Sequence, residues 1–161
     1  MIRDYEEENF VAVLDVINDA ATAYKGIIPE DCWHDPYMSA TELQREINTG
    51  VSFRMVLNEE NIVMGVMGAQ PVQDVLLIRH AYVRTQARRR GIGSQLISDL
   101  RKRTALPILV GTWAAAAWAI QFYEDHGFMA QSDKLTQELL KKYWSVPEAQ
   151  ADQSVVLMDQ S

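Results

Sequence analysis

Two short segments of the 161-residue chain hold residue types spaced for chemistry. The first is Val83-Arg84-Thr85-Gln86-Ala87-Arg88-Arg89-Arg90-Gly91-Ile92-Gly93-Ser94, which reads as a strand end, a basic glycine loop and a helix start. Gly91 and Gly93 let the backbone come close to a ligand, and the N–H groups of a helix start, flanked by arginines, favour negative charge. A phosphorylated cofactor suits such a cradle. The competing reading is a solvated arginine run ahead of an ordinary helix. A nucleotide-binding P-loop fits poorly, because Gly91-Ile92-Gly93-Ser94 lacks the lysine such a loop requires. The second segment, Ala119-Ile120-Gln121-Phe122-Tyr123-Glu124-Asp125-His126-Gly127-Phe128, reads as an amphipathic helix with a tyrosine near its end, stopped by glycine.

In their order and spacing these segments resemble the GNAT superfamily of N-acetyltransferases. Arg88-Arg89-Arg90-Gly91-Ile92-Gly93 matches that family's acetyl-CoA motif, R/Q-x-x-G-x-G/A, and Ala119, Phe122, Tyr123, Gly127 and Phe128 match its A-x-x-F-Y-x-x-x-G-F pattern. The resemblance implies a mixed α/β fold over essentially the whole chain, with a central twisted sheet of about six or seven strands flanked by helices. It also implies acetyl-CoA as acetyl donor. On that basis the backbone N–H groups of Arg89, Arg90, Gly91, Ile92, Gly93 and Ser94 would bind the pyrophosphate, with Arg88 among the phosphate-contacting arginines. The strand end at Tyr82 and Val83 would pair with the pantetheine arm. The Val83 N–H is the candidate for polarising the thioester carbonyl, with an ordinary ladder bond as its alternative role.

Acyl transfer to an amine requires a bound cofactor, a deprotonated amine, a stabilised oxyanion and a protonated leaving thiolate. Tyr123 is the candidate acid: a phenol with a pKa of about 10 stays protonated where a thiol of about 8.5 begins to ionise. Its alternative is a core residue beside Phe122. Family members often carry asparagine seven residues before this tyrosine; here Ala116 stands there, so a cofactor contact is missing or comes from Trp118. The strand Leu76-Leu77-Ile78-Arg79-His80-Ala81-Tyr82-Val83 contains no acid, which leaves His80, with an ordinary pKa of about 6.5, as the candidate base. Strict alternation puts Arg79 rather than His80 on the face of Val83, and a bulge would reverse this. Otherwise His80 is a hydrogen-bonded sheet histidine. Arg79 could bind an acceptor carboxylate or form a structural ion pair.

The cluster Cys32-Trp33-His34-Asp35-Pro36-Tyr37 falls in the link between the first two helices. Trp33 and Tyr37 could pack an apolar part of a substrate, and Glu30, His34 or Asp35 could bind its amine; a loop anchored by its own aromatics is the rival reading. Cys32, His34, Asp35, His80 and His126 show no recognised metal-ligand spacing, so no metal is expected. His126, just ahead of Gly127, suits a helix C-terminus.

Composition narrows the function. A formal net charge of -7 argues against general nucleic-acid binding. Yet seven of the fifteen Lys and Arg residues fall between Arg84 and Arg103, where Asp99 is the sole acid. That local patch suits a compact polyanion, with Arg101 and Arg103 on a solvated helix face, and the acidic remainder favours a cationic acceptor. No apolar run reaches membrane-spanning length and the first residues do not form a signal peptide, so a cytoplasmic, non-membrane protein is expected. The single cysteine, Cys32, excludes an internal disulfide and fits a reduced compartment. At this length and with 48% hydrophobic residues, one domain is expected.

Periodicity supplies the elements. Phe10, Val13, Leu14, Val16 and Ile17 predict a helix of about fifteen residues after Glu6-Glu7-Glu8, and Ser39 or Thr41 can cap a second reaching Asn48. Phe53–Leu57, Asn61–Ala69 and Val75–Val83 predict an antiparallel meander. A helix after Gly93 directs Leu96, Ile97, Leu100 and Thr104 to the sheet, and Pro107–Trp113 is the parallel strand that follows. Beyond the tyrosine helix come a strand at Phe128–Gln131, a helix at Lys134–Trp144 with Leu135, Leu139 and Tyr143 aligned, and a strand at Ser154–Met158. Residues 134–152 exceed the smallest family members and either shape a substrate mouth or close the core. Tyr143 and Trp144 serve that core or a homodimer contact.

The expected protein is therefore an acetyl-CoA-dependent enzyme acting through a ternary complex on a primary amine, either a small molecule or a peptide. The alternative is a noncatalytic acyl-CoA-binding module, suggested by Ala116 and the missing acidic base.

Overall fold

A computed structural model describes residues 1–146 and 148–161. The N-terminal apolar stripe forms α1 (Phe10–Ala21), twelve residues rather than about fifteen, because the chain tightens into a 3-10 turn at Thr22–Tyr24. Ser39 caps α2 (Ala40–Asn48) by accepting the Glu42 N–H. The strands are β1 (Ile2–Asp4), β2 (Ser52–Leu57), β3 (Val63–Val72), β4 (Val75–Val83), β5 (Ile108–Trp113), β6 (Phe128–Ala130) and β7 (Ser154–Asp159). The remaining helices are α3 (Ile92–Arg103), α4 (Ala117–Asp125), α5 (Asp133–Tyr143) and the short α6 (Glu148–Ala151). The strands form one mixed seven-stranded sheet in the order β1-β2-β3-β4-β5-β7-β6. As predicted, β4 and β5 pair in parallel, with Leu76, Leu77 and Ile78 opposite Ile108, Leu109 and Val110.

The chain packs as two compact units, Met1–Gln70 with Arg79–Ala105, and Pro71–Ile78 with Leu106–Ser161. In the first, Val13, Val16 and Ile17 of α1 and Leu43 of α2 form a core with Phe53, Met55 and Leu57, alternate residues of β2. Arg54, between them in sequence, points the other way and is held by a two-point bond to Asp99 of α3, at 2.8 and 2.9 Å, and by Asp4 of β1 at 2.7 Å. In the second unit Val75, Leu77, Leu109 and Val156 pack under Leu140 and Trp144.

Several boundaries differ from the sequence reading. β1 was not expected; three residues give too short a pattern to read, and its register comes from pairing with β2. α3 starts at Ile92, which is buried, and Thr104 lies past its end. α5 packs Leu139 and Tyr143 against the core as predicted, but Thr136 and Leu140 are its buried residues and Leu135 is exposed. The cause is a bond: the Thr136 hydroxyl oxygen accepts the Val156 N–H, so a polar residue is satisfied in the core. Trp144 is buried over Gly111, and the Tyr143 hydroxyl donates to Asp74 at 2.7 Å, so both serve the packing of this unit. Pro147, within the 134–152 stretch, lies outside the described residues.

Candidate active site

The glycine loop is built from β4 outward. Past Val83, the Arg84 guanidinium donates to the Val63 carbonyl and the chain enters a 3-10 turn at Thr85–Ala87. Asp19 of α1 holds that turn by accepting the Thr85 N–H at 2.7 Å, and Ala87 is fully buried beneath it. Arg89 and Gly91 then take left-handed backbone angles, φ 65° and 76°. This is the conformation for which glycine at position 91 is suited. A Cβ at Gly91 would meet nothing within 4 Å, so the space over the loop is open.

Helix α3 starts directly at Ile92, its first main-chain bond running from the Gln95 N–H to the Gly91 carbonyl. The amides of Ile92 and Gly93 therefore lie at the helix end, where the helix dipole favours an anion. No acid lies in the first turn of α3, and Arg88, Arg89, Arg90 and Gly91 are all exposed. These residues fit a phosphate-bearing ligand. Within the arginine run, Arg88 is drawn back to α1, donating to the Ala20 carbonyl at 3.3 Å. The helix start is seated by Gly65 of β3, where any side chain would collide with Ile92.

On the α1/α2 side of β4, aromatic rings form a connected row. Trp33 meets Tyr37 at 5.6 Å, Tyr37 meets Tyr24 at 5.7 Å, Tyr24 meets Tyr82 at 6.5 Å and Tyr82 meets His80 at 6.1 Å. The row continues to Phe53, stacked on His80 at 6.0 Å and lying over Gly68, where a Cβ would come within 2.7 Å of its ring. The loop bearing Trp33 and Tyr37 is held at its far end by Asn18 of α1, whose amide both donates to and accepts from the Met38 backbone. Both aromatics are partly exposed, as a substrate-packing role requires, and His34 is exposed at the loop surface. Burial, and then the neighbouring Tyr37, push the Tyr24 hydroxyl up to about 12, so it stays a neutral phenol.

His80 shares its face with Tyr82, whereas Val83 faces Ile92, so β4 follows the strict alternation. The acid absent from the strand comes from α2: Glu46 lies 2.6 Å from Nε2 of His80 and 3.7 Å from Arg79. Burial alone would push the Glu46 carboxyl up. The hydrogen bond and charge of His80, with Arg79, outweigh it and hold the group below its ordinary value. Arg79 is thus in the ion pair that the sequence left as one of its two roles.

In the second unit, Tyr123 of α4 is 5% exposed and meets the rings of Phe122 and Phe128 edge-on at 5.1 and 5.3 Å. Ala116 is fully buried at the start of the same helix, and Trp118 is exposed. His126 closes α4 with Nδ1 2.6 Å from the Phe122 carbonyl, the helix-end role read from sequence. Among the described residues no group of His, Cys, Asp and Glu could hold a metal ion, and no helix is long and apolar enough to cross a membrane.

Four residues important to this arrangement were not singled out from sequence: Asp19, Asn18, Glu46 and Gly65. Only Gly65 carried a local signal, a glycine inside a strand, which marks a close approach.

Comparison with known proteins adds a family match: residues 2–141 fit the Acetyltransferase (GNAT) domain. No curated protein matches the chain. Among solved structures, the PaiA N-acetyltransferase of Thermoplasma acidophilum in complex with coenzyme A is similar with a TM-score of 0.74 at 15% identity, covering 100% of this chain and 98% of that one. The ribosomal-protein-S18-alanine N-acetyltransferase of Escherichia coli gives a TM-score of 0.68 at 16% identity, covering 99% and 92%. At such identities these likenesses concern the fold.

Proposed function

Because this chain belongs to the GNAT acetyltransferase family, an acyltransferase family, we propose that it transfers an acetyl group from acetyl-CoA directly to the primary amine of a small molecule or peptide, within a ternary complex. The observation that carries the reading is the loop ahead of α3: a left-handed Gly91, open space above it, helix-end amides and exposed arginines in one place. The coenzyme A held by the Thermoplasma protein supports the same ligand here.

In this reading the amides from Arg89 to Ser94 hold the pyrophosphate, with Arg89 and Arg90 adding charge, while Arg88 is partly committed to Ala20. The backbone of Tyr82 and Val83 pairs with the pantetheine arm, and the Val83 N–H polarises the thioester carbonyl. Trp118 is the candidate for the cofactor contact that Ala116 does not make. Tyr123 protonates the leaving sulfur. Trp33, His34 and Tyr37 face the acceptor, and His80 takes its proton. The lone thiol, Cys32, is consistent with a reduced cytoplasmic setting.

The test is a screen for coenzyme A release from acetyl-CoA with a diamine, lysine and an alanine-initiated peptide as acceptors. Amine-dependent release with a mass gain of one acetyl group on the acceptor supports the proposal. Release without acetylated amine, or no release with any of them, counts against it.

A further inference from the structure

Among the described residues, Nδ1 of His80 is the buried side-chain nitrogen without a hydrogen-bond partner. The other ring nitrogen, Nε2, sits 2.6 Å from Oε2 of Glu46, whose second oxygen lies 3.7 Å from Arg79. Phe53 and Tyr82 flank the imidazole with their rings tilted only 14° and 25° from it, which fixes its plane. A carboxylate can only accept, so the short contact places a hydrogen on Nε2. In the neutral ring, Nδ1 is then a lone pair with no donor. A doubly protonated ring would instead bury a charged N–H without an acceptor, the costlier arrangement.

We propose that Glu46 is a positioning residue that holds His80 as its Nε2–H tautomer, which makes Nδ1 the atom that takes the proton of the incoming amine. The proposal rests on the acetyl-transfer reading above. The acceptor ammonium gives one proton to Nδ1, and its freed lone pair forms the C–N bond to the thioester carbonyl. The C–S bond breaks, the sulfur leaves as thiol with the Tyr123 proton, the second nitrogen proton refills the phenol, and the imidazolium returns its proton to water. Glu46 stabilises that imidazolium while it lasts, as a carboxylate paired to a histidine does in other acid–base pairs. Glu46 from α2 and Tyr82 from β4 face the ring, Arg79 reaches the far oxygen of Glu46, and Phe53 from β2 is apolar. Phe53 is buried and Tyr82 is partly exposed, so an entering amine approaches along Tyr82.

Nitrogen NMR of histidine-labelled protein reads the tautomer without any acceptor, with His80 assigned by its loss in His80→Gln. At neutral pH the expected spectrum has Nε2 protonated and Nδ1 unprotonated. Glu46→Gln keeps that tautomer through its amide oxygen, and Glu46→Ala loses the preference. With an amine from the screen, Glu46→Gln should lower kcat about tenfold or more and move the acid limb of the rate profile to lower pH, with KM for acetyl-CoA within about twofold. A structural ion pair would leave that limb in place. Nδ1–H or a doubly protonated His80 in a protein that acetylates amines overturns this proposal alone. The expected tautomer in a folded protein that acetylates no amine overturns the acetyl-transfer reading and, with it, the proton-acceptor role.

Discussion

The Cγ2 atom of Ile92 occupies the space above Gly65: a Cβ built at position 65 would lie 2.5 Å from it. β3 and the first residue of α3 are thereby locked together, and the glycine loop inherits its position from that contact. Gly65→Ala should cost about 1–3 kcal/mol in a urea unfolding series, because Ile92 is buried and cannot swing clear, and should weaken coenzyme A binding. Gly111→Ala is the control. Its Cβ would meet the Trp144 ring at 3.4 Å, an ordinary contact, and a shift under about 1 kcal/mol is expected.

The arginines of the loop should divide in their effects. Arg89 and Arg90 are exposed beside the helix-end amides, whereas Arg88 is bonded to the Ala20 carbonyl. Replacing Arg89 and Arg90 together by alanine should weaken coenzyme A binding about tenfold and flatten its dependence on salt. Arg88→Ala should change the salt dependence less and the stability more. Equal effects on salt dependence would assign all three side chains to the ligand.

Glu46 predicts a pH effect on stability. Its folded-state pKa lies below the ordinary value, so between the two values the unfolded chain binds more protons than the folded one. The contribution is complete above the unfolded-state pKa and is lost as pH falls through the lowered folded-state value. Urea midpoints measured through that acid range should therefore fall more steeply for the wild type than for Glu46→Gln. Parallel falls would show that the carboxylate is no better stabilised in the folded chain than in the unfolded one.

Much of the fold was legible because its signals are local. The apolar stripe of α1, the Ser39 cap of α2, the β meander and the Gly91 loop are each decided by residues within one element. The supports of the site are decided elsewhere. Asp19 bonds to Thr85, 66 positions away, and Glu46 meets His80 across 34 positions. An acid on an exposed-looking helix gives no hint of such a partner. On α5 the packing of Leu139 and Tyr143 was legible but the burial of Thr136 was not, since Thr136 looks polar in sequence and accepts the Val156 N–H only once β7 brings it there.

Tyr123→Phe removes one oxygen and keeps the ring that packs between Phe122 and Phe128, so the fold should be retained. If the phenol protonates the departing sulfur, kcat should fall about tenfold to a hundredfold while acetyl-CoA affinity stays within about twofold. Single-turnover kinetics would check this. An unchanged rate of the chemical step would return Tyr123 to a purely packing role.

Everything proposed for this chain begins with coenzyme A binding at the loop between β4 and α3. Calorimetric titration of the purified chain with acetyl-CoA, with ATP as the comparison ligand, tests it directly. The predicted result is saturable binding of acetyl-CoA in the micromolar range, absent for ATP and weakened in the Arg89→Ala, Arg90→Ala double variant. No heat of binding for acetyl-CoA with folded protein, or equal binding of ATP, would contradict it.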